Sequence, residues 1–361
     1  MRRSPRCHLA IFLMRALLFC IALRGCSPRS LPSRRQDTCS KRIFWFMAIS
    51  SRSTLEYWRY AKVAMLSAKE HSPNLIPVLL YGDSSGEASA AAHQNIVWYR
   101  EHGGIVYHHN LTFMSDLQGV ANLELRAPDW PESVEGTYLR IDIPLIVPLL
   151  LKWMETQETG STAHMNQEEV LYTDADVLFY QEFDPCKLDL PEVMAIGPEM
   201  HRTANSWSEL NWNAGVLFIN LKGFSAVLPQ MIQWANSRHW DFKAADQGML
   251  NDYFPAVYGQ PLSSLPEIYN WKGYWGSSPD KVILHWHGPK AERCLNCYIE
   301  LWEQSKSDKS IVQQCGCPSA YDTLWNLAMD ADQAALYRSA VQDHAKYADT
   351  LDDEIATLAA Y

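Results

Sequence analysis

EEVLYTDADVLFY, residues 168–180, is the stretch from which the rest of this chain can be read. An apolar run reaches two aspartates one residue apart, Asp174 and Asp176, and then turns apolar again. Such a run reads as a core strand. Ionised carboxylates at the end of a buried strand are costly unless something neutralises them. Two of them together call for a cation. A divalent metal held by carboxylate oxygens, with positions left for phosphate oxygens, meets that need. The end of a strand is also where open α/β sheets place their ligands.

Taken alone, the pair has a plainer reading, a strand-end turn whose Asp side chains bond to backbone amides. A second triplet, Asp330-Ala331-Asp332, lies in a polar segment of helical period and reads as a solvated helix start, where the dipole favours acids. Asp174-Ala175-Asp176 differs because apolar strand residues flank it on both sides. A second strand end, His285-Trp286-His287-Gly288-Pro289-Lys290, adds partners. A histidine there can give a nitrogen ligand to a metal such as manganese. A glycine lets backbone approach a diphosphate, and a lysine can neutralise it.

The surrounding periodicity predicts strands over 42–49, LIPVLLY (75–81), 105–108, a short one within 191–197, NAGVLFIN (213–220) and 281–287 as the last core strand. Helices are predicted from about 54 to Lys69, over 87–102, over 137–155 begun near Pro144, over 225–238 and over 244–253. The tail, 318–361, is Ala-rich and helical in period. This β-α-β-α-β order predicts an α/β fold with a mainly parallel sheet and helices on both faces.

Of 361 residues, 47% are apolar and 20% charged, with 14 Trp, which describes a globular chain with ample core. The net charge is −10. Residues 1–42 hold ten Lys/Arg and one acid, a balance of +9 that leaves −19 for the rest. An acidic body excludes a nucleic-acid groove, which needs a basic stripe. The basic start (Arg2, Arg3, Arg6), the apolar stretch 9–23 interrupted by Arg15, and the Arg/Ser-rich segment after it read as a signal peptide or short signal-anchor, with Met14 as a possible start. The stretch falls short of the ~20 residues that span a bilayer. An organellar transit peptide is the alternative. The leading reading places the protein in the secretory pathway, Golgi or endoplasmic reticulum lumen. Cys294, Cys297, Cys315 and Cys317 would there form two disulfides, with a four-thiolate zinc site as the alternative. Asn110-Leu111-Thr112 would be a glycan acceptor in that compartment. The divisions expected are a targeting and linker segment at 1–40, a catalytic domain at 41–293 and a Cys-bearing, helical extension at 294–361.

The acid pair, NAGV, DQ, LP…YN and H-x-x-G-x-K, in this order, resemble glycosyltransferase family 8 over roughly residues 42–290. That resemblance implies a GT-A fold and a retaining transfer from a nucleotide sugar, with UDP as the expected nucleotide, to a carbohydrate or glycoconjugate acceptor. It implies that Asp174 and Asp176 hold Mn2+ (or Mg2+) with His285 as third ligand, and that Ala175 lies against the donor between them. Gly288 and Lys290 would bind the diphosphate, although the lysine stands one residue earlier than in the family's usual H-x-x-G-x-x-K. Arg140 would reach the donor, and Asn213, Ala214 and Gly215 would face its sugar. Asp246 and Gln247 would sit nearest the anomeric carbon as the catalytic pair. Ala48, Ile49 and Ser50 would cradle the base, and Asn270 would line the acceptor side. A sugar-nucleotide pyrophosphorylase is a competing class, but the segment after the first strand, SSRSTLEYW, lacks the Gly-rich loop of that class. A nucleotide- or carbohydrate-binding protein without turnover is the other, against which the intact acid pair and His285 argue.

Overall fold

In a computed structural model of the chain, residues 41–51, 53–83, 89–118, 134–156, 168–199, 211–272, 275, 278–287, 343, 346 and 347 are described. All belong to one compact unit, Ser40–Tyr361. The aromatic and β-branched run IFWFMAIS forms β1, Ile43–Ser50. It is followed by α1 (Leu55–His71), β2 (Leu75–Gly82), α2 (Ala90–Glu101) and β3 (Ile105–His108). Ser89 caps α2 by accepting from the Ala92 amide at 3.1 Å, the role Ser favours at a helix start.

After the short helix α3 (Met114–Gln118) come α4 (Val134–Tyr138), a 3₁₀ turn (Leu139–Asp142) and α5 (Ile143–Thr156). The single helix expected over 137–155 is therefore built in three pieces. Arg140 and Asp142 sit in the tight turn, both buried and both committed to partners elsewhere in the chain. Next are β4 (Glu169–Thr173), β5 (Val177–Phe179), β6 (Met194–Pro198), β7 (Trp212–Asn220), α6 (Leu221–Ser237), α7 (Ala245–Tyr253) and the short strands β8 (Ser263–Ser264), β9 (Trp271–Lys272) and β10 (Ile283–His285).

Seven strands make the main sheet in the order β3-β2-β1-β4-β7-β6-β8. The pairs among β3, β2, β1 and β4 are parallel, β7 runs antiparallel to both of its neighbours, and β6 pairs β8 in parallel. The expected mixed, mainly parallel sheet is thus the observed one. Two-residue alternation along β1 splits the core. Phe44 and Phe46 face one apolar cluster with Tyr138, Ile146, Phe224 and Met231. Ile43, Trp45, Met47 and Ile49 face the other with Trp58, Ala64, Ile96 and Tyr99. Helices thereby cover both faces, which is why the central strands are apolar on both sides.

One expectation is corrected. The strand expected at 281–287 as part of the core sheet is only Ile283–His285, and it belongs to a separate three-stranded sheet, β5-β10-β9. Its partners are too short to announce themselves, at three and two residues. Of the expected helical tail, Asp343, Lys346 and Tyr347 are described and helical. The Tyr180 hydroxyl donates to Asp343 at 2.8 Å, and the Tyr347 hydroxyl donates to Glu70 at 2.9 Å. Residues 9–23, the four-cysteine cluster, Asp330 and Asp332 lie outside the described residues. Among the described residues, no helix is long and apolar enough to cross a membrane.

Candidate metal and donor site

Asp174 and Asp176 occupy the crossing between the two sheets, after β4 in the large one and before β5 in the small one. Backbone bonds fix this crossing from both sides. The Asp174 amide donates to Gly215 O of β7 at 2.8 Å, and the Trp286 amide donates to Asp176 O at 2.9 Å. In the antiparallel β5–β10 ladder His285 lies opposite Val177, so the histidine is delivered beside the acid pair.

The three side chains converge. His285 Nε2 is 3.6 Å from Asp174 Oδ2 and 3.5 Å from Asp176 Oδ1. One donor atom from each residue lies within 4.8 Å of the other two. Asp176 and His285 are buried, and Asp174 is half-buried and open to a ligand. Two carboxylates and one imidazole form a mixed oxygen–nitrogen set that suits a divalent ion such as Mn2+. Packing is tight behind them. A Cβ on Gly215 would come within 2.1 Å of the His285 ring, so only glycine fits there.

Arg140 braces Asp174. Its Nη2 is 2.9 Å from Asp174 Oδ1, its Nη1 donates to Ala214 O at 2.5 Å, and its Nε donates to Thr137 O at 2.7 Å. Tyr172 lies 4.5 Å beneath the guanidinium and donates its hydroxyl to Asp174 Oδ1 at 3.1 Å. Burial works against the arginine charge, but Asp174 and Asp246 hold its pKa above the ordinary value. Arg140 is thus surrounded by protein and bears on the acid pair through Asp174.

Asp246, near the start of α7, is buried, and burial pushes its carboxyl up to about 6 despite the neighbouring Arg140. Its Oδ2 is 3.1 Å from Arg140 Nε, but that N–H points to Thr137 O, so Oδ2 has the charge nearby and no hydrogen bond. Gln247 beside it is half-buried. Its Oε1 accepts from Asn213 Nδ2 and from the Ala214 amide, both at 3.0 Å. Its Nε2 donates to Glu199 at 3.3 Å.

Among the other expected positions, Ala48, Ile49 and Ser50 end β1. Since β1 and β4 are parallel neighbours, that end and Asp174 share one edge of the sheet. Ala48 is half-buried, while Ile49 and Ser50 are buried. Asn213, Ala214 and Gly215 lie on β7 opposite the acid pair. Asn270 differs from expectation. It has no exposed surface and bonds to His285 Nδ1 at 3.0 Å and to Asn213 Oδ1 at 2.9 Å, so it backs the histidine and does not line an acceptor surface. Gly288 and Lys290 lie outside the described residues.

No known family matches the chain by sequence. No curated protein matches it either. In overall structure it is similar to the apo form of the glycosyltransferase GlyE of Streptococcus pneumoniae TIGR4, at 20% identity and TM-score 0.43, over 83% of this chain and 62% of that one. The match thus spans less than two thirds of GlyE's own length. It is also similar to mouse xyloside xylosyltransferase 1 in its apo form, at 14% identity and TM-score 0.41, over 68% of this chain and 97% of that one. A third similar structure is the bifunctional glycosyltransferase WbbM in its apo form, at 12% identity and TM-score 0.41, over 70% of this chain and 47% of that one. Such distant likeness assigns no activity, and the chain's own residues carry the reading.

Sequence reasoning missed four residues. Tyr172 was visible only as an apolar strand residue. Glu199 directly follows β6, and its strand-end position, Gly197-Pro198-Glu199, was the available signal. Lys272 is fully buried on β9, in register with His285, and donates to Pro198 O at 2.7 Å. Burial lowers the Lys272 pKa and raises that of Glu199, each against the pull of the other. His287 stands 3.3 Å from Glu199.

Proposed function

We propose that this chain is a divalent-cation-dependent glycosyltransferase that moves a sugar from a nucleotide sugar, with UDP as the nucleotide, to a hydroxyl of a carbohydrate or glycoconjugate acceptor, with retention at the anomeric carbon. The observation that carries the proposal is the convergence of Asp174, Asp176 and His285 at the edge where β1 and β4 end, with Asp246, Asn213 and Gln247 adjoining. Asp174, Asp176 and His285 would hold Mn2+ or Mg2+. When bound, such an ion supplies Lewis-acid stabilisation of the negative charge on a diphosphate leaving group.

The chain's own residues do the rest. The end of β1 adjoins this edge, where half-buried Ala48 offers surface for the base. Asp246 lies buried beside Arg140, directly behind this edge. Arg140 holds the Asp174 carboxylate in place. Gln247 Oε1 already accepts two hydrogen bonds, which makes it a poor nucleophile. Attack by the acceptor hydroxyl on the face the diphosphate leaves fits this arrangement, with the hydroxyl proton passing to a leaving phosphate oxygen. The N-terminal pattern supports a place in the secretory pathway.

Titration calorimetry with UDP, with and without Mn2+, tests the reading, and binding is expected only with the ion. A panel of UDP-sugars is expected to include one that the protein hydrolyses slowly. Asp176→Asn is expected to bring that rate to background, and an unchanged rate would move the ion site elsewhere.

A further inference from the structure

Behind His285 runs a chain of amides whose direction can be worked out atom by atom. The Ala214 backbone N–H can only donate, and it donates to Gln247 Oε1 at 3.0 Å. That identifies the oxygen end of this amide, so Gln247 Nε2 faces Glu199 and Oε1 also accepts from Asn213 Nδ2. The Gly215 backbone N–H likewise donates to Asn213 Oδ1, at 3.2 Å. Asn213 Oδ1 therefore also accepts Asn270 Nδ2, at 2.9 Å. Asn270 then has only its oxygen left for His285 Nδ1, at 3.0 Å. An oxygen of an amide accepts, so Nδ1 must carry the proton. In the neutral ring Nε2 is then the lone-pair nitrogen, and it is the atom that faces Asp174 and Asp176.

The geometry points to Asn270 as a positioning residue that sets the His285 tautomer, with Asn213 and Gln247 relaying a direction fixed by two backbone amides and ending on Glu199. The relay holds the imidazole ready as a nitrogen ligand before any ion arrives. Partners of this kind behind a metal-binding histidine typically change metal affinity ~10–100-fold when removed. Packing supports the assignment, because a Cβ on Gly197 would lie 2.6 Å from Asn270 Nδ2, so the strand β6 leaves this amide little room to swing. The inference deepens the reading of Asp174, Asp176 and His285 as a cation site and rests on it.

The test uses the full chain without nucleotide or sugar. Nitrogen NMR of 15N-histidine-labelled protein, free of metal, reads which nitrogen of His285 is protonated, with the resonance assigned by its loss in His285→Gln. Mn2+ affinity is read separately from the paramagnetic resonance of the free ion. The wild type is expected to show Nδ1–H. Asn270→Asp keeps an acceptor for Nδ1 and is expected to keep that tautomer and bind Mn2+ within a few-fold of wild type. Asn270→Leu removes the acceptor and is expected to lose the tautomer and weaken Mn2+ ~10–100-fold. Nε2–H in the wild type, or equal weakening by both variants, overturns the proposal. Nδ1–H that only Asn270→Leu disturbs, in a protein that binds no Mn2+, upholds the relay and removes the cation reading instead. Asn270→Ala, which removes the same acceptor with a smaller change in shape, repeats the test should Asn270→Leu fail to fold.

Discussion

At the residue scale, the acid pair is supported by side chains whose worth can be measured singly. Trp45 Nε1 donates to Thr173 Oγ1 at 2.9 Å; both residues are buried, and Thr173 directly precedes Asp174. Thr173→Val keeps the shape and removes the acceptor. Leaving a buried N–H unpaired costs about 1–3 kcal/mol, so urea unfolding should show a loss of that size. Asp246 gives a pH signature. Its carboxyl is raised in the fold from 3.8 to about 6, so the folded state holds the proton more tightly. Its stabilising contribution is therefore present below 3.8 and is lost as pH rises through about 6. Relative to wild type, Asp246→Asn should gain stability across that window, on the order of 3 kcal/mol in the difference between its ends. A difference that stays flat with pH would mean that Arg140 compensates the carboxylate fully.

At the element scale, the site depends on two sheets meeting at one crossing, and Gly215 is where they touch. It lies on β7 of the large sheet, while the His285 it abuts lies on β10 of the small one. Gly215→Ala forces the ring away from the acid pair. Overpacking of this kind costs about 1–3 kcal/mol. The same variant should lose Mn2+ binding, which thermal unfolding and titration calorimetry would report together. The element scale also separates what the sequence shows from what it hides. NAGVLFIN is a long apolar run and is visible without tertiary information. So are the aspartates set between apolar residues on both sides, Val170–Tyr172 and Val177–Phe179. The small sheet is hidden because Val177–Phe179 and Trp271–Lys272 are too short to carry a period. The histidine strand therefore reads as another core strand. Asn270 and Glu199 are hidden for a different reason. A polar residue near a turn looks solvated until burial shows that its hydrogen bonds all go to protein, as Asn270 does at zero exposure.

At the scale of the whole molecule, the same groups that would bind a cation are a cost to the protein without one. The net charge is −10, and two carboxylates and the Asp246 group crowd one half-buried region with Arg140 as the neighbouring cation. Folding brings these acids together, and the unfolded chain keeps them apart. An ion that binds the folded state alone must therefore raise the stability of the whole chain, by about 2.7 kcal/mol when its free concentration is 100 times its dissociation constant. Thermal unfolding should shift upward with Mn2+ and return with a chelator. Asp176→Asn should remove the shift while leaving the metal-free protein as stable or more so, because one of the crowded charges is gone. The shift should also fade on acidification, since ion and proton compete for the same lone pairs. A stabilisation by Mn2+ that persists in Asp176→Asn would come from ions on the acidic surface, and the two origins separate cleanly because surface binding does not discriminate between Asp176 and any other carboxylate.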